Sequence, residues 1–212
     1  MLDLDYQIIK ENSFKTICHV GSYDGAEVEL YHETNVSKVI WVEANYNILN
    51  KLIKNTINYN IENVYLPLTL SDEDDSVVDF KITTNGESSS FMDLGDLHKS
   101  TYPEIEVIEK ITTITKRFDT FVKTQSDFDW NEVEMLVLDC QGADLKVLKG
   151  FGILLDSPKL KVIKCEVNFG DMYVDVPTEQ DIDDYLRTYG FTKSYWFVVE
   201  DGTWGDTFWV KY

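Results

Sequence analysis

The fold is decided near the end of the chain, in S-Y-W-F-V-V (194–199) and T-F-W-V-K-Y (207–212). Both runs are aromatic and β-branched, the composition that suits a pleated surface, so each reads as a strand. Only the seven residues 200–206 separate them. A parallel crossover needs about a dozen residues or more, so these two strands must pair antiparallel.

Upstream, short β-branched runs alternate with amphipathic helices. T-I-C-H-V (16–20) and K-V-I-W-V (38–42) read as strands, the first ending at Gly21 and the second running into Glu43. A helix over 25–33 lies between them. The next helix is striped by Ile48, Leu49, Leu52, Ile53 and Ile57 at helical spacing, and a strand over 63–68 follows it. V-E-M-L-V-L-D-C (133–140) reads as a buried strand, with a helix over 143–149 and a strand over 161–167 after it. Pro177 and Thr178 open a last helix whose Ile182, Tyr185, Leu186 and Tyr189 share one face. Thr178 suits its N-cap and Gly190 its left-handed stop. The pattern predicts an α/β fold: a mostly parallel seven-stranded sheet, helices on both faces, and an antiparallel hairpin at the end.

Between 71 and 115 the rhythm breaks. V-V-D-F-K-I-T (77–83) alternates like a half-exposed strand and has a partner candidate over 110–115, while N-G-E-S-S-S (85–90) reads as loop. A long irregular segment inside a compact domain is more often functional than idle. The expectation is one domain over 1–212 carrying a variable loop or hairpin insertion, with regularity returning in a short helix near 118–123.

Composition narrows the partners. Among 212 residues, 38 are acidic and 19 basic, a net charge of −19. Such a surface repels a nucleic-acid backbone and an anionic bilayer. Lys146, Lys149, Lys159, Lys161 and Lys164 read as a solvated rim rather than a binding patch. No stretch approaches the roughly 18 apolar residues of a membrane span, and the opening M-L-D-L-D-Y lacks the layout of a secretory signal. Cys18, Cys140 and Cys165 show neither a C-x-x-C pair nor metal-ligand spacing, and all sit in or beside apolar runs. A cytoplasmic protein with no metal and no obligate protein partner is expected.

Two features point to a bound nucleoside. Gly21-Ser22-Tyr23-Asp24-Gly25 joins the first strand to its helix, and its glycines let a ligand approach the backbone closely. The G-x-x-x-G spacing is not the G-x-G-x-x-G of dinucleotide sites. Glu43 ends the second strand, where a carboxylate can accept from both hydroxyls of a ribose, and Ala44 and Asn45 follow it.

The chain resembles the FkbM-type methyltransferases. The matching pieces are I-C-H-V-G-S-Y-D-G-A-E (17–27), V-I-W-V-E-A-N (39–45), L-T-L-S-D (68–72) and L-V-L-D-C-Q-G-A-D-L-K-V-L-K-G (136–150). The last is the most specific, being similar to the family's aspartate-x-x-glycine-alanine-acid segment. The resemblance implies a Rossmann-like class I fold, whose sheet also ends in an antiparallel hairpin. It further implies methyl transfer from S-adenosylmethionine to oxygen, leaving S-adenosylhomocysteine, often on a sugar or polyketide-derived hydroxyl. Many members resemble D-V-G-A-N-x-G in the first loop; here His19 stands at the acid's place, as in a subgroup with histidine in the first strand, so His19 need not touch the cofactor.

On that reading the reaction is an in-line displacement needing alignment and, for an alcohol, a base. Asp139, after the buried run 135–138, is the leading base candidate, with an alternative role in holding loops or the methionine amine. Glu166, ending the next strand, is the second catalytic candidate, toward the acceptor hydroxyl. Gln141 and Gly142 are expected to turn beneath the cofactor, and Ser71 and Asp72 to meet its adenine edge. Ser88, Ser89 and Ser90 in the insertion are candidates for the methionine carboxylate or the acceptor, and His98 there is an acceptor-side and lesser base candidate. His32 reads as a surface residue. Trp196, Trp204 and Trp209 read as partly core, with Trp204 in the hairpin loop where its ring could stack on a sugar or glycan acceptor. The competing readings are a nucleotide-dependent oxidoreductase on a similar sheet and a non-catalytic nucleoside-binding module.

Overall fold

Strands run, in chain order, as β1 (Thr16–Val20), β2 (Lys38–Val42), β3 (Glu62–Leu66), a short β4 (Thr69–Leu70), β5 (Val77–Thr83), β6 (Val107–Lys116), β7 (Met135–Leu138), β8 (Val162–Asn168), β9 (Thr192–Val198) and β10 (Trp204–Val210). The helices are α1 (Leu2–Asn12), α2 (Val28–Glu33), α3 (Leu49–Thr56), α4 (Asp96–Thr101), α5 (Phe118–Val122), α6 (Asp144–Phe151) and α7 (Glu179–Arg187). This computed structural model describes residues 2–125 and 129–212, so Met1 of the acidic opening lies outside the described residues.

The seven-stranded sheet has the order β3-β2-β1-β7-β8-β10-β9. All neighbours from β3 to β8 are parallel, and β10 pairs antiparallel with both β8 and β9. The terminal antiparallel pair is therefore present, with shifted edges. Five residues rather than seven join its strands, and Trp204 begins β10 instead of lying in the loop.

Side chains alternate across each strand, so the sheet carries a core on each face. On one face Cys18, Val20, Leu136, Leu138 and Ile163 pack with α6 and α7 through Val147, Leu148, Phe151, Ile182 and Leu186. On the other, Ile17, Val39, Trp41, Met135 and Val137 pack with α1, α2 and α3 through Ile9, Leu30, Tyr31 and Leu52. Helix α1 was not foreseen. Its Ile8 and Ile9 are buried, and Leu4 and Tyr6 pack partly buried against the same core. His19 lies within the second core: its Nδ1 sits 3.0 Å from the Tyr31 hydroxyl and its ring beside Trp41. Burial drives that imidazole down to about 3, so it is a neutral packing residue.

Helix α7 is capped as its sequence requires. Thr178 Oγ accepts from the Asp181 N–H (3.2 Å), and the Thr178 N–H donates to Asp181 Oδ2 (2.8 Å). At the other end Gly190 has φ 82°, and the Phe191 N–H returns to the Leu186 carbonyl (3.2 Å).

Two expectations are corrected here. Lys164 is not part of a solvated rim; its ammonium is enclosed between Asp5 of α1 (3.1 Å) and Asp206 of β10 (3.0 Å). Burial opposes its charge, but the two carboxylates outweigh it and raise its pKa further. Trp196 is also not core: it is 63% exposed on the edge strand β9, whereas Trp209 of β10 is fully buried.

The insertion is more ordered than a loop. β5 and β6 pair antiparallel as expected, β4 joins β6 in parallel, and α4 lies between β5 and β6 in the chain. A bridge from Leu94 to Tyr173 ties this small sheet to the segment after β8, placing it over the carboxyl ends of the main strands. Among the described residues no helix is long and apolar enough to cross a membrane.

Candidate functional site

The strand order reverses between β1 and β7, and a cleft opens at their carboxyl ends, where ligands of such sheets bind. The two strands approach so closely there that a Cβ on Gly21 (φ 75°) would sit 1.8 Å from the Asp139 carbonyl oxygen. Four N–H groups of the loop, those of Gly21, Ser22, Tyr23 and Gly25, are already spent within the protein. Gly21 and Ser22 donate to the Val42 carbonyl (2.9 and 3.3 Å), Gly25 to Ser22, and Tyr23 to the Glu43 carboxylate. The loop thus acts on β2, not as a cradle of free donors. Gly25 lies against α3, where a Cβ would strike Leu52 and Thr56.

Glu43 is held from both sides. Its Oε2 accepts from the Tyr23 N–H and its Oε1 from the Asn45 N–H, each at 2.7 Å. It is 6% exposed, and burial pushes its carboxyl up to about 7 against those bonds. Each oxygen retains an acceptor direction. Asn45 is buried beneath it, and Tyr23 holds a left-handed backbone (φ 44°) that aims its N–H at the carboxylate.

Two chambers meet at Gly21, Tyr23, Asp139 and Gln141. The first is a narrow slot reached by Glu43, Ala44 and Asn45, with walls of Leu68, Leu70, Phe80, Phe91 and Val147. The second, about 390 Å³, is lined by Ser22, Asp24, Glu166, Asn168, His98, Tyr102, Tyr173 and Trp204 among others. That volume lies in the range of small-ligand sites.

Gln141 organises the boundary. With φ 52°, it turns its amide so that Nε2 donates to Asp139 Oδ1 (2.6 Å) and to Glu166 Oε2 (2.8 Å). The Tyr173 hydroxyl donates to Gln141 Oε1, and Asn168 Nδ2 donates to Glu166 Oε1 (3.2 Å). Asp139 opens onto the cleft yet is ringed by protein; desolvation pushes its carboxyl up to about 6. Burial, followed by repulsion from Asp139, raises Glu166 well above the carboxylate range. The two carboxyl groups thus repel each other across the Gln141 amide, and both hold a proton more strongly than a free carboxyl does. Asp144, opening α6, is buried and pushed up to about 8 by desolvation and by Asp139, while its Oδ1 accepts from the Cys140 N–H (3.2 Å).

Other candidates fall outside the cleft or serve its walls. Ser71 is buried and bonds Asp72 Oδ1 (3.0 Å), and the Asp72 carbonyl accepts from Arg117 (2.8 Å); neither lines a chamber, and Leu68 to Leu70 occupy the place expected of them. Gly142 lies under the Tyr173 ring. Ser89 and Ser90 line the slot, but Ser89 Oγ accepts from the Thr83 N–H and Ser90 Oγ from the Met92 N–H. Ser88, His98 and Trp204 line the wider chamber. Gln141 as a clamp, Asn168, Tyr173 and Asp144 were not anticipated as site residues. Two of these had a signal: Asn168, two positions beyond Glu166, shares that residue's face of the strand, and Asp144 is the acid of the aspartate-x-x-glycine-alanine-acid segment. Among the described residues no group of three or more His, Cys, Asp or Glu side chains could hold a metal ion.

A family model described as Methyltransferase FkbM domain matches residues 19–193. Among solved structures, magnesium protoporphyrin IX methyltransferase of Synechocystis, with bound SAM, matches at TM-score 0.56 and 8% identity over 100% of this chain and 78% of that one. TrmK of M. capricolum, in complex with S-adenosyl-homocysteine, matches at 0.54 and 10% identity over 99% and 67%. A putative RNA methyltransferase from Pyrococcus horikoshii matches at 0.51 and 12% identity over 99% and 80%. At these identities the likeness is one of fold. No curated protein matches the chain significantly.

Proposed function

The chain belongs to the FkbM methyltransferase family, and from that premise we propose that it methylates a hydroxyl oxygen of a sugar or glycan, with Asp139 as base. Its methyl donor is S-adenosylmethionine. We read residues 1–212 as one catalytic unit whose insertion roofs the cleft.

The residues present fit that cofactor. The apolar slot suits a flat purine, and the fixed Glu43 carboxylate beside it suits a ribose diol. The acidic boundary at Asp139 suits a sulfonium and an ammonium group. Bound there, the cofactor would supply an electrophilic methyl group.

The chain's own residues supply the rest. The observation that carries this reading is the placement of Asp139, which lines both chambers. Gln141 holds one of its oxygens, leaving Oδ2 to take the proton of an acceptor hydroxyl. Glu166, whose hold on a proton burial strengthens, is placed to meet the acceptor hydroxyl, and Asn168 fixes its orientation. Trp204, partly buried at the chamber wall, suits stacking on the apolar side of a pyranose. Most of the acceleration then comes from alignment, with proton removal contributing about 10²–10⁴-fold, as general bases do.

The test is methyl transfer to a panel of neutral glycosides, with Asp139→Asn alongside. A base role requires turnover to fall by about 10²-fold or more while S-adenosylhomocysteine affinity persists. Equal loss of both would make Asp139 a cofactor ligand. Cofactor binding without transfer to any hydroxyl compound would favour the non-catalytic nucleoside-binding module. The oxidoreductase reading is set aside by the family.

A further inference from the structure

The wider chamber holds hydrogen-bonding atoms that nothing in the fold uses. Asn168 turns its Nδ2 to Glu166, and its Oδ1 has no partner among the described residues. His98 enters from the insertion on α4, its ring between those of Tyr102 and Tyr173, and its Nδ1 is likewise unpartnered among the described residues. Both side chains line the chamber, and they are 5% and 2% exposed. A buried polar atom left unmet is costly, so these two atoms mark places where a ligand's polar groups are favoured.

The charges of the chamber restrict what that ligand can be. Asp24, Glu27, Glu87, Asp139 and Glu166 line it, and no Lys or Arg is among its described lining residues. Asp24 is answered from outside by Lys51 (2.8 Å). The amide donors of Gln141 are already committed to the two carboxyl groups. What remains is mostly hydrogen-bond acceptors: the Asp139 carboxylate, Asn168 Oδ1 and the Glu27 carboxyl. Hydroxyl and ammonium groups bring donors to such a set. A phosphate or carboxylate would bring more acceptors and a charge with no cation to meet it.

We propose that this chamber admits a hydroxyl-bearing acceptor that is neutral or carries an ammonium group and excludes acceptors bearing phosphate or carboxylate, with Asn168 reading its donors and His98 meeting a further polar group. The inference rests on the wider chamber being the acceptor side of the methyl-transfer site.

Calorimetry on the full chain saturated with S-adenosylhomocysteine tests it with two matched scaffolds. The hexoses are methyl glucoside, glucosamine, glucuronate and glucose 6-phosphate; the phenols are 4-hydroxybenzyl alcohol, tyramine and 4-hydroxyphenylacetate. Neutral and amine members should bind at least about tenfold tighter than anionic members of the same scaffold. Anionic members binding as well or better overturns the proposal, as does binding of none of the seven. If only the phenols bind and keep this charge order, the proposal stands while the sugar reading falls. Asn168→Leu and His98→Gln should each weaken the best member about fivefold or more with S-adenosylhomocysteine affinity kept. If Asn168→Leu loses that affinity too, Asn168→Ser is read instead. Unchanged acceptor affinity in these variants removes both residues from recognition.

Discussion

At residue scale the cleft depends on two small facts about strand ends. Gly21 leaves no room for a methyl group against the Asp139 carbonyl and holds a backbone that favours glycine. Gly21→Ala is expected to lower the melting temperature and abolish S-adenosylhomocysteine binding together; a variant melting like the parent would contradict the close approach. Glu43 is the second. Glu43→Ala should weaken S-adenosylmethionine by ~1.5–3 kcal/mol, as for a lost charge-assisted hydrogen bond, and calorimetry reads this directly. Unchanged affinity would remove it from the ribose. Asp139, with a carboxyl near 6, predicts that turnover rises with pH through about 6 and then levels; a profile flat from pH 5 to 8 would exclude it as base. Glu43 and Asp139 were legible because each ends a strand in a recognisable run. Gln141 was read only as a turn beneath the cofactor; its clamp was not legible, because it depends on a left-handed φ and on Glu166, 25 residues away, arriving beside it.

At the scale of elements, the tryptophans of the terminal hairpin separate position from composition. Trp209 on β10 is fully buried with its Nε1 donating to Asp183 (2.9 Å), whereas Trp196 on β9 stands at the sheet's edge. Trp209→Ala should cost about 3–5 kcal/mol in denaturant unfolding, the range for emptying an aromatic site. Trp196→Ser should stay within about 0.5 kcal/mol. Similar costs for the two would mean that the edge strand is covered. Both side chains belong to the same kind of aromatic run, so period and hydrophobicity could not rank them. Which strand becomes the edge follows from β10 inserting between β8 and β9.

At the scale of the whole molecule, the fold collects carboxyl groups it cannot fully hydrate. Glu43, Asp139, Asp144 and Glu166 all have raised pKa values, chiefly from burial. A carboxyl whose folded pKa exceeds its unfolded value of about 4 binds its proton more tightly when folded. Its contribution is therefore intact below pH 4 and is lost as pH rises through the folded pKa, here between about 4 and 8. The melting temperature of the ligand-free protein should fall from pH 5 to pH 8. Asp144→Asn, which keeps an acceptor for the Cys140 N–H, should make that fall shallower. A melting temperature that climbs over this interval would refute the burial argument.

The amino-acid order by itself determined the alternation of strands and helices, the antiparallel end and the strand-tip acids, because these depend on local periodicity and on a connection too short to cross over. Only the tertiary structure decided that Lys164 is enclosed by Asp5 and Asp206, that Ser71 and Asp72 stay off the cleft, and that the first loop spends the N–H groups of Gly21, Ser22 and Tyr23 on Val42 and Glu43. Each of these turns on which distant groups meet when the sheet assembles, and the energy of a charge or a donor depends on that neighbour and on the water it displaces.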